Sequence, residues 1–394
     1  MSRPPARLDL GALSLARGGH LLLRKALLAL PAGGTLEVVG ADPELPVHAR
    51  ALARAWGAPF HPHDATVVLG APVTPEGRWR GAVRSGAPGQ VVAEPPATWG
   101  LAARGAAVEA GSPAFRFPWS RRDEVWTDEA GRLYLQAAAA QWDPVTAVPW
   151  ATGFDLPDEV EDAVVQLMTY LVENEVAALL VPARFCAQVH PHFREIVQLL
   201  AIQAADEARH IEVFTRRALL RRPAPALSTA GGQASLQTLV EEPDFALASF
   251  LTSVLGEGSF LTLLRFLDHH APDPVTAAVC RLAAQDEARH VAFGVAHLER
   301  HARLDPTLRL RLAAAVERRH DALRHTAGLN EEVFDALVVV AAGAWTPDAL
   351  RRGWDAVVAL QEEMDVGRRV RLRRLGFEEA DAARLSGLHT RNFM

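Results

Sequence analysis

The chain has 394 residues, 49% of them hydrophobic, and a formal net charge of −6. This length and composition are typical of a folded globular protein with two domains. It has no long basic segment, no apolar leader near its start and no uninterrupted apolar run of about eighteen residues, the length typical of a membrane span. We therefore expect a cytoplasmic protein that binds neither nucleic acid nor a membrane.

The cysteine content limits the kinds of metal site that the chain can form. Only Cys186 and Cys280 are present, which is too few for a disulfide framework, a thiolate zinc site or an iron-sulfur cluster. Any redox metal must therefore be bound by oxygen and nitrogen ligands.

Residues 1–70 show short elements in the order β-α-β-α-β. Apolar runs such as TLEVVGA and TVVLGA predict strands, and His20–Leu30 and the segment LPVHARALARAWG predict the helices between them. This pattern indicates a small N-terminal α/β module. The next residues, 71–150, are rich in Gly, Pro, Arg and Trp and predict an irregular connector, with one hairpin at most, and a lead-in to the rest of the chain.

From residue 151 to residue 394 the pattern is helical. Four segments are long enough to cross a helical bundle. They are Leu156–Phe185, His192–Leu220, Glu242–His270 and Asp273–Ala302. Further helices are predicted to begin near Asp305, Asn330 and Thr346. The expected fold class is mainly α, a four-helix bundle with extra C-terminal helices, plus the small N-terminal module.

The pentapeptide DEARH occurs twice, in the second and in the fourth of these segments. Each copy contains a Glu and a His three residues apart, Glu207 with His210 and Glu287 with His290. Side chains at this spacing lie one turn apart on the same helical face, so each pair can reach a single metal ion. A di-iron carboxylate bundle uses two such pairs and takes one further Glu from each of the other two helices.

The first and third segments each place an acid on their buried face. Glu175 interrupts an apolar stripe, whereas Glu173 faces another direction. Glu257 is the only acid between Asp244 and Asp268, and the glycines on either side of it predict space for a metal or a substrate channel. Glu175 and Glu257 each precede a Glu-x-x-His pair by a similar number of residues. The two halves of the predicted bundle therefore carry the same residue types in the same order.

The Asp and Arg of each DEARH copy are expected to act around the ligands. A metal-bound His usually donates its second N–H to an outer acceptor. We expect Asp206 and Asp286 to accept these bonds, each from the His of the opposite helix. Arg209 and Arg289 are expected to hold the two Asp carboxylates. The alternative is that all four side chains are solvated surface charges.

These residues resemble the ferritin-like superfamily of non-heme di-iron proteins over roughly Asp155–His301. The D-E-x-R-H sequences are particularly similar to those of oxygen-activating members, such as the bacterial multicomponent monooxygenases and the aminobenzoate N-oxygenase group. The segment AAAAQWDPVTAVPW (Ala137–Trp150) resembles the lead-in of some ferritin-like oxygenases.

The resemblance implies six metal ligands, which are also the catalytic groups. They are Glu175, Glu207 and His210 for one ion, and Glu257, Glu287 and His290 for the other. Glu207 and Glu287 would bridge the two ions.

The resemblance also implies cofactors and partners. Ligands of this kind suit two iron ions, or manganese in one or both positions, with dioxygen as the co-substrate. The expected activity is that of a monooxygenase or oxidase, which hydroxylates, N-oxygenates or desaturates a small organic substrate. Since the sequence shows no flavin or nicotinamide fingerprint, electrons would come from an external ferredoxin or reductase. A homodimer is left open.

Three other functions are weighed against this one. The first is iron oxidation and storage or peroxide scavenging, as in relatives of ferritin and rubrerythrin, although the Cys-x-x-Cys pairs of a rubredoxin-type tail are absent. The second is a radical generator similar to the small subunit of ribonucleotide reductase, for which only Tyr170 lies on a ligand helix. The third is a metal-free scaffold, which would leave buried carboxylates unpaired.

The N-terminal module resembles sulfur-carrier proteins of the TusA type, whose L-D-x-x-G-L opening leads into a helix and then a G-x-x-L-x-V strand; here the opening reads LDLGAL and the strand GGTLEV. Leu15 and Ala16 occupy the positions of the reactive Cys and the Pro that follows it. Persulfide transfer needs a thiolate, so we expect this module to dock or pack rather than to carry sulfur.

Overall fold

A computed structural model of the chain describes residues 6–31, 33–63, 66–70, 82–324 and 331–389. The chain forms two compact units. The first contains Met1–Gln90 and Thr98–Ala114, and the second contains Val91–Ala97 and Phe115–Met394. The start of the predicted connector, 71–81, and the helix start at Asn330 lie outside the described residues. The division into 1–70, 71–150 and 151–394 concerns independent folding and stays a prediction.

The first unit contains a four-stranded sheet and two helices. In chain order they are β1 (Ala6–Asp9), α1 (Gly19–Leu28), β2 (Thr35–Val39), α2 (Leu45–Trp56), β3 (Phe60–His63) and β4 (Thr66–Gly70). The strands are ordered β1-β2-β4-β3, with β1 parallel to β2 and the other pairs antiparallel. Strand β3 was not predicted, because Pro62 lies within it. A proline is tolerated there because β3 is an edge strand.

The sheet and its helices bury an apolar core of their own. Leu36 and Val38 alternate with exposed or half-buried neighbours in β2, and they pack in one cluster with Leu23 and Leu27 of α1. This alternation follows from the two-residue period of a strand. A short antiparallel pair, β5 (Val83–Arg84) with β6 (Ala107–Val108), also belongs to this unit.

The second unit is helical throughout its regular structure in the described residues. Its helices before the bundle are α3 (Arg122–Val125) and α4 (Ala130–Ala139). The bundle region contains α5 (Asp158–Cys186), α6 (Arg194–Ala218), α7 (Ala230–Val240), α8 (Phe245–Ser249), a π-helical segment (Phe250–Glu257), α9 (Gly258–His269) and α10 (Pro274–Leu304). The C-terminal helices are α11 (Leu308–Leu323), α12 (Glu331–Ala342), α13 (Pro347–Arg374) and α14 (Glu379–Leu388). The predicted mainly helical class, with a four-helix bundle and extra C-terminal helices, is confirmed.

The long helices follow from local sequence signals. Asp273 caps α10 by accepting bonds from the N–H groups of Val275 and Thr276 at 2.9 and 2.8 Å, and Pro274 occupies the first turn, where no N–H is needed. Helices α4 and α7 were not predicted. In α7 two glycines stand in the first turn and weaken the helical signal, while Thr229 caps it through the N–H of Gly232.

The apolar faces of the bundle helices pack against one another. One core cluster joins Leu167 and Leu171 of α5 to Phe214 of α6 and to Leu263 of α9. A second cluster joins the π-helical segment to α10 and to the C-terminal helices. These clusters hold the polar side chains described below in fixed positions.

Two helical stretches, Asp158–Cys186 and Phe245–His269, are long and apolar enough to cross a membrane by length and composition. The bent pair Glu331–Ala342 and Pro347–Arg374 would be a third candidate. In the most apolar window of the first stretch 67% of the residues are buried inside the protein, and in that of the second 89% are buried. Packing in the bundle therefore accounts for their apolar character, and the absence of a membrane partner stays a prediction.

Candidate metal centre

The two Glu-x-x-His pairs lie on facing helices in the interior of the bundle. Glu207 and His210 on α6 are fully buried, and Glu287 and His290 on α10 have at most 3% of their surface exposed. In each helix the three-residue spacing places the carboxylate and the imidazole on one face.

Glu175 of α5 and Glu257 at the end of the π-helical segment complete the centre. Both are buried, with 1% and 5% of their surface exposed. The structure thus brings together all six side chains predicted from the sequence, which we call the six-residue cluster. It contains Glu175, Glu207, His210, Glu257, Glu287 and His290.

The ligand atoms of this cluster fall into two overlapping groups. In each group the atoms all lie within 4.8 Å of one another. One group contains Glu175, Glu207, His210 and Glu287, and the other contains Glu207, Glu257, Glu287 and His290. Glu207 and Glu287 belong to both groups, so the geometry allows these two carboxylates to bridge two ions.

The imidazoles turn their Nδ1 atoms toward the carboxylates. His210 Nδ1 lies 3.1 Å from Glu207 Oε2 and 3.4 Å from Glu175 Oε2. His290 Nδ1 lies 2.9 Å from Glu207 Oε1, but the two atoms do not form a hydrogen bond. The close approach of His290 Nδ1 and Glu207 Oε1 without a hydrogen bond suits a cation that both atoms bind.

Several ligand atoms of the cluster are buried without a hydrogen-bond partner among the described residues. They are Glu175 Oε1, Glu207 Oε1, Glu257 Oε2, both carboxylate oxygens of Glu287 and His290 Nδ1. A buried polar atom without a partner costs about 1–3 kcal/mol, and more when the group is charged. The residues therefore fit a pair of metal ions, and they argue against a metal-free scaffold.

Burial and neighbouring charges shift the pKa values of Glu175, Glu207 and Glu257 in the metal-free chain. Burial, reinforced by the Glu207 carboxylate, raises the pKa of Glu175 well above its usual range. Burial raises the pKa of Glu257 to about 8. Burial acts in the same direction on Glu207, but the positive charge of His290 and the hydrogen bonds with Glu175, His210 and His290 together outweigh it and lower the pKa of Glu207 well below its usual range. Like charges at this density are stable only with protons or cations between them.

The histidines are braced by aspartates of the opposite helix. His210 Nε2 lies 3.2 Å from Asp286 Oδ2, and His290 Nε2 lies 3.1 Å from Asp206 Oδ2. This is the crossed arrangement expected from the sequence. Burial alone would raise the pKa of both aspartates, but the bonds with the histidines hold it below the usual range. Each Asp therefore accepts from an Nε2–H and leaves Nδ1 available inside the cluster.

The two DEARH arginines connect these aspartates. Arg209 Nη2 lies 2.6 Å from Asp206 Oδ1 and 2.9 Å from Asp286 Oδ2. Arg289 donates to Asp286 Oδ1 and lies 3.9 Å from Asp206 Oδ2. The four side chains form a compact network at the boundary of the centre, and none of them is a solvated surface charge.

Two side chains of the lead-in complete this network. Gln141 Nε2 donates to Asp206 Oδ1 at 2.8 Å, and Trp142 Nε1 donates to Asp286 Oδ2 at 2.8 Å. The Trp142 ring also stacks on His210, with 6.3 Å between the ring centroids. The sequence resemblance identified residues 137–150 as a lead-in but did not predict what Gln141 and Trp142 bind. Their partners depend on how this segment folds back onto α6 and α10.

The helical stretch that carries Glu257 is not the regular helix that the sequence predicted. Between α8 and α9 the chain winds as a π-helix over Phe250–Glu257. Such turns are rare and are frequent at functional sites. Gln203 Nε2 of α6 donates to Glu257 Oε1 at 3.2 Å and helps to hold this carboxylate in place.

The glycines beside Glu257 serve two different purposes. Gly256 lines a cavity next to the cluster, with Asn174, Leu239 and Phe260 among the other walls. About 20 Å³ of this cavity is open to the centre of a water molecule, which is room for a water molecule or two. At Gly258 the prediction of a gap for metal or substrate was wrong, because a Cβ there would lie 2.4 Å from Arg371 Nε.

No family model matches the chain, and no curated protein matches it. Solved structures with similarity to the chain include an R2-like ligand-binding oxidase from Sulfolobus acidocaldarius, with 16% identity, a TM-score of 0.41, and coverage of 60% of this chain and 90% of that one. Another is a variant R2-like ligand-binding oxidase with an aerobically reconstituted Fe/Fe cofactor. It has 17% identity and a TM-score of 0.46, and the match covers 63% of this chain and 94% of that one. A third carries a Mn/Fe cofactor, with 18% identity, a TM-score of 0.43, and coverage of 65% and 94%. Similarity at this level assigns neither a reaction nor a substrate.

Proposed function

We propose that the chain is an oxidoreductase that binds two metal ions in the six-residue cluster and uses dioxygen to oxidise a small organic molecule. The observation that carries this proposal is the set of buried ligand atoms without hydrogen-bond partners, grouped around two positions that share Glu207 and Glu287. Four carboxylates and two imidazoles in a closed interior form the donor set of a di-metal carboxylate centre.

The donor set favours iron, or manganese in one or both positions. Hard carboxylate oxygens with imidazole nitrogens suit these metals better than copper. Glu175, Glu207 and His210 would hold one ion. Its neighbour would be held by Glu257 and His290, with Glu287 joining Glu207 as the second bridge. When bound, two ferrous ions together supply two electrons for the reduction of dioxygen.

The residues around the ligands exclude water and orient the imidazoles. Asp206 and Asp286 fix the ring positions through Nε2, and Leu239 and Phe260 give the cavity beside the cluster an apolar wall. Such a site protects a strong oxidant from solvent while a substrate reacts. Hydroxylation, N-oxygenation and desaturation are all consistent with it.

The stoichiometry of the reaction requires a partner. Insertion of one oxygen atom into a substrate consumes dioxygen, two electrons and two protons, and releases water. Only two cysteines are present in the chain, which excludes an internal iron-sulfur relay. We therefore propose an external ferredoxin or reductase as the electron donor. A cytoplasmic location and the absence of a nucleic-acid partner stay predictions from the sequence, and a homodimer stays open.

Anaerobic titration with ferrous iron, followed by addition of dioxygen and reductant, tests the proposal. We expect two irons per chain and, with isotopically labelled dioxygen, label in an organic product or oxygen consumption that depends on an organic substrate. Accumulation of many irons per chain without an organic product would instead indicate storage. Reduction of added peroxide without an organic product would indicate scavenging, and failure to bind any metal would overturn the proposal.

A further inference from the structure

Three arginines and one histidine lie together in the interior of the C-terminal part of the second unit. Arg319 belongs to α11, Arg368 and Arg371 belong to α13, and His389 follows α14. Arg319 and Arg368 are each 7% exposed and His389 is 5% exposed. We call these four residues the basic cluster.

Arg319 is bonded to hydroxyl groups of α7 rather than to an acid. Its Nε donates to Thr238 Oγ1 at 2.9 Å, and its Nη2 donates to Ser235 Oγ at 2.6 Å. Hydroxyls orient a guanidinium group, but they do not neutralise its charge.

Arg368 is held in the same way by helices α9 and α14. Its Nε donates to Ser386 Oγ at 3.0 Å, and its Nη1 donates to Ser259 Oγ at 3.3 Å. The nearby Asp365 is paired with Arg369 at 2.7 Å and accepts from Ser386. Asp365 forms no ion pair with Arg368; its charge favours the guanidinium, but burial outweighs it and lowers the pKa of Arg368 to about 10.

Arg371 lies against the segment that carries a predicted metal ligand. Its Nε donates to the carbonyl oxygen of Val254 at 2.7 Å. Its guanidinium occupies the space where a side chain at position 258 would lie, next to Glu257. Its Nη2 is buried and has no hydrogen-bond partner. The free donor identifies a place for an acceptor that the described residues do not provide.

The arginines of the basic cluster form no ion pair with the described residues, and the charge of Asp365 compensates Arg368 only in part. None of its three arginines lies within ion-pair distance of a carboxylate in residues 82–324 and 331–389. Burial lowers the pKa of Arg319 and of Arg371 to about 10, so both remain charged at neutral pH. Burial and the three arginines lower the pKa of His389, which is therefore neutral. Buried charges without a counter-ion are strongly destabilising, so an anion would stabilise this region.

Tyr170 connects the basic cluster to the cavity beside the six-residue cluster. Burial raises the pKa of Tyr170, and the positive charge of Arg319 acts in the opposite direction on that pKa. The centroid of the Tyr170 ring lies 6.0 Å from that of Phe260, which lines the cavity. The Tyr170 hydroxyl is buried and has no hydrogen-bond partner. One turn further along α5, Asn174 bonds to the Tyr170 carbonyl at 2.7 Å and also lines the cavity.

We propose that Arg319, Arg368 and Arg371 bind the anionic end, a carboxylate or a phosphate, of an organic substrate whose apolar part enters the cavity beside the metal ligands. The identification of this molecule as the substrate rests on the function proposed above, whereas the binding of the anion does not. Guanidinium groups match both oxyanions through paired N–H donors. Because the cavity has room for little more than water, binding displaces neighbouring side chains such as Phe260.

Calorimetric titration of the full chain, with and without iron, tests the proposal. The ligands are benzoate, octanoate and phenyl phosphate, with benzyl alcohol and octanol as neutral analogues and inorganic phosphate as the free anion. We expect at least one organic anion to bind about tenfold or more tightly than its neutral analogue, since a buried charge pair contributes that much or more. Equal affinity for acid and alcohol, or no binding of any organic anion, would overturn the proposal. This comparison uses the unaltered protein and stands even if a variant fails to fold.

Substitutions locate the site. Arg368→Leu and Arg371→Leu should each weaken binding of the organic anion by about tenfold or more, whereas Arg352→Leu, at an exposed position of the same helix, should leave binding unchanged. Equal effects of all three substitutions would indicate a general charge effect and would overturn the assignment. If inorganic phosphate binds as tightly as any organic anion, the site recognises a free ion rather than a substrate.

Two further experiments distinguish the remaining explanations. Removal of residues 390–394 should not alter binding. If only the shortened chain binds the organic anions, the chain itself occupies the site and the proposal is wrong. Loading of two irons by a chain that binds no organic anion would refute the anion site and leave the metal centre standing. A chain that binds the organic anions but loads no iron would refute the metal centre alone.

Discussion

At the level of single residues, Glu207 and Glu287 have the same place in two half-sites. Each lies one turn before a histidine, and each contributes to both groups of ligand atoms. Their carboxylates can contact two ions, whereas Glu175 and Glu257 belong to one group each. Loss of either shared carboxylate therefore affects both metal positions.

We predict that Glu207→Ala or Glu287→Ala removes most of the bound iron. Glu173→Ala is the matched control, because Glu173 lies on the same helix as Glu175 but outside the cluster. Metal analysis of the three purified variants after identical anaerobic loading measures the effect. Equal iron in all three variants would show that the cluster does not bind the metal.

The buried imidazole of His297 gives the fold a pH dependence that is independent of metal. It lies on α10 between the rings of Phe245 and Phe293, with centroid distances of 5.0 and 6.0 Å. Burial lowers its pKa from 6.5 to about 3. Below pH 6.5 the unfolded chain takes up a proton here that the folded chain does not.

The free energy of unfolding should therefore decrease as the pH is lowered below 6.5. His297 contributes up to about 1.4 kcal/mol per pH unit to this decrease. We predict that His297→Leu loses this contribution, so its stability falls less between pH 7 and pH 5 than that of the unaltered chain. Urea denaturation at several pH values measures the difference. Parallel curves for the two proteins would exclude the effect, and His269→Leu at an exposed position serves as the control.

At the level of elements, the π-helical segment and α10 approach each other closely. A Cβ at Gly294 of α10 would lie 2.5 Å from the Cβ of Ser253, a distance that real side chains do not tolerate. Ser253 lies on the π-helical segment that ends at Glu257. The small residue at position 294 is required by packing between two elements.

We predict that Gly294→Ala lowers the free energy of unfolding by about 1–3 kcal/mol, because overpacking forces the two elements apart. The matched control is Gly131→Ala in α4, where a Cβ would meet only Glu195 Cγ at 3.7 Å. That substitution should not lower the free energy of unfolding, because Ala favours a helix over Gly and the added methyl group has room. Chemical denaturation of both variants tests the pair, and a Gly294→Ala variant as stable as the unaltered chain would contradict the close packing.

At the level of the whole molecule, the two units have separate apolar cores. The core of the sheet consists of residues between Leu8 and Leu69. Among the described residues, the cores around the helices contain no residue before Val91. The six-residue cluster likewise lies within the second unit.

We predict that deletion of residues 1–70 leaves a helical protein that still binds two irons, because the described residues in this range contribute neither to the bundle cores nor to the ligands. Circular dichroism and iron analysis of the shortened chain measure the two properties. A shortened chain that stays in solution and keeps its helices but loses its metal would show that the N-terminal residues support the centre.

Local rules were enough to predict the helical class, the four long segments and the six clustered side chains. The three-residue spacing of Glu and His, the acid on an otherwise apolar stripe and the Asp-Pro start of α10 each depend on a single helix and its period. The tertiary structure alone decided the π-helical winding before Gly258, the bonds of Gln141 and Trp142, and the buried arginines around His389. These features join residues far apart in the sequence, and their energies depend on the packing of whole elements, which no local pattern records.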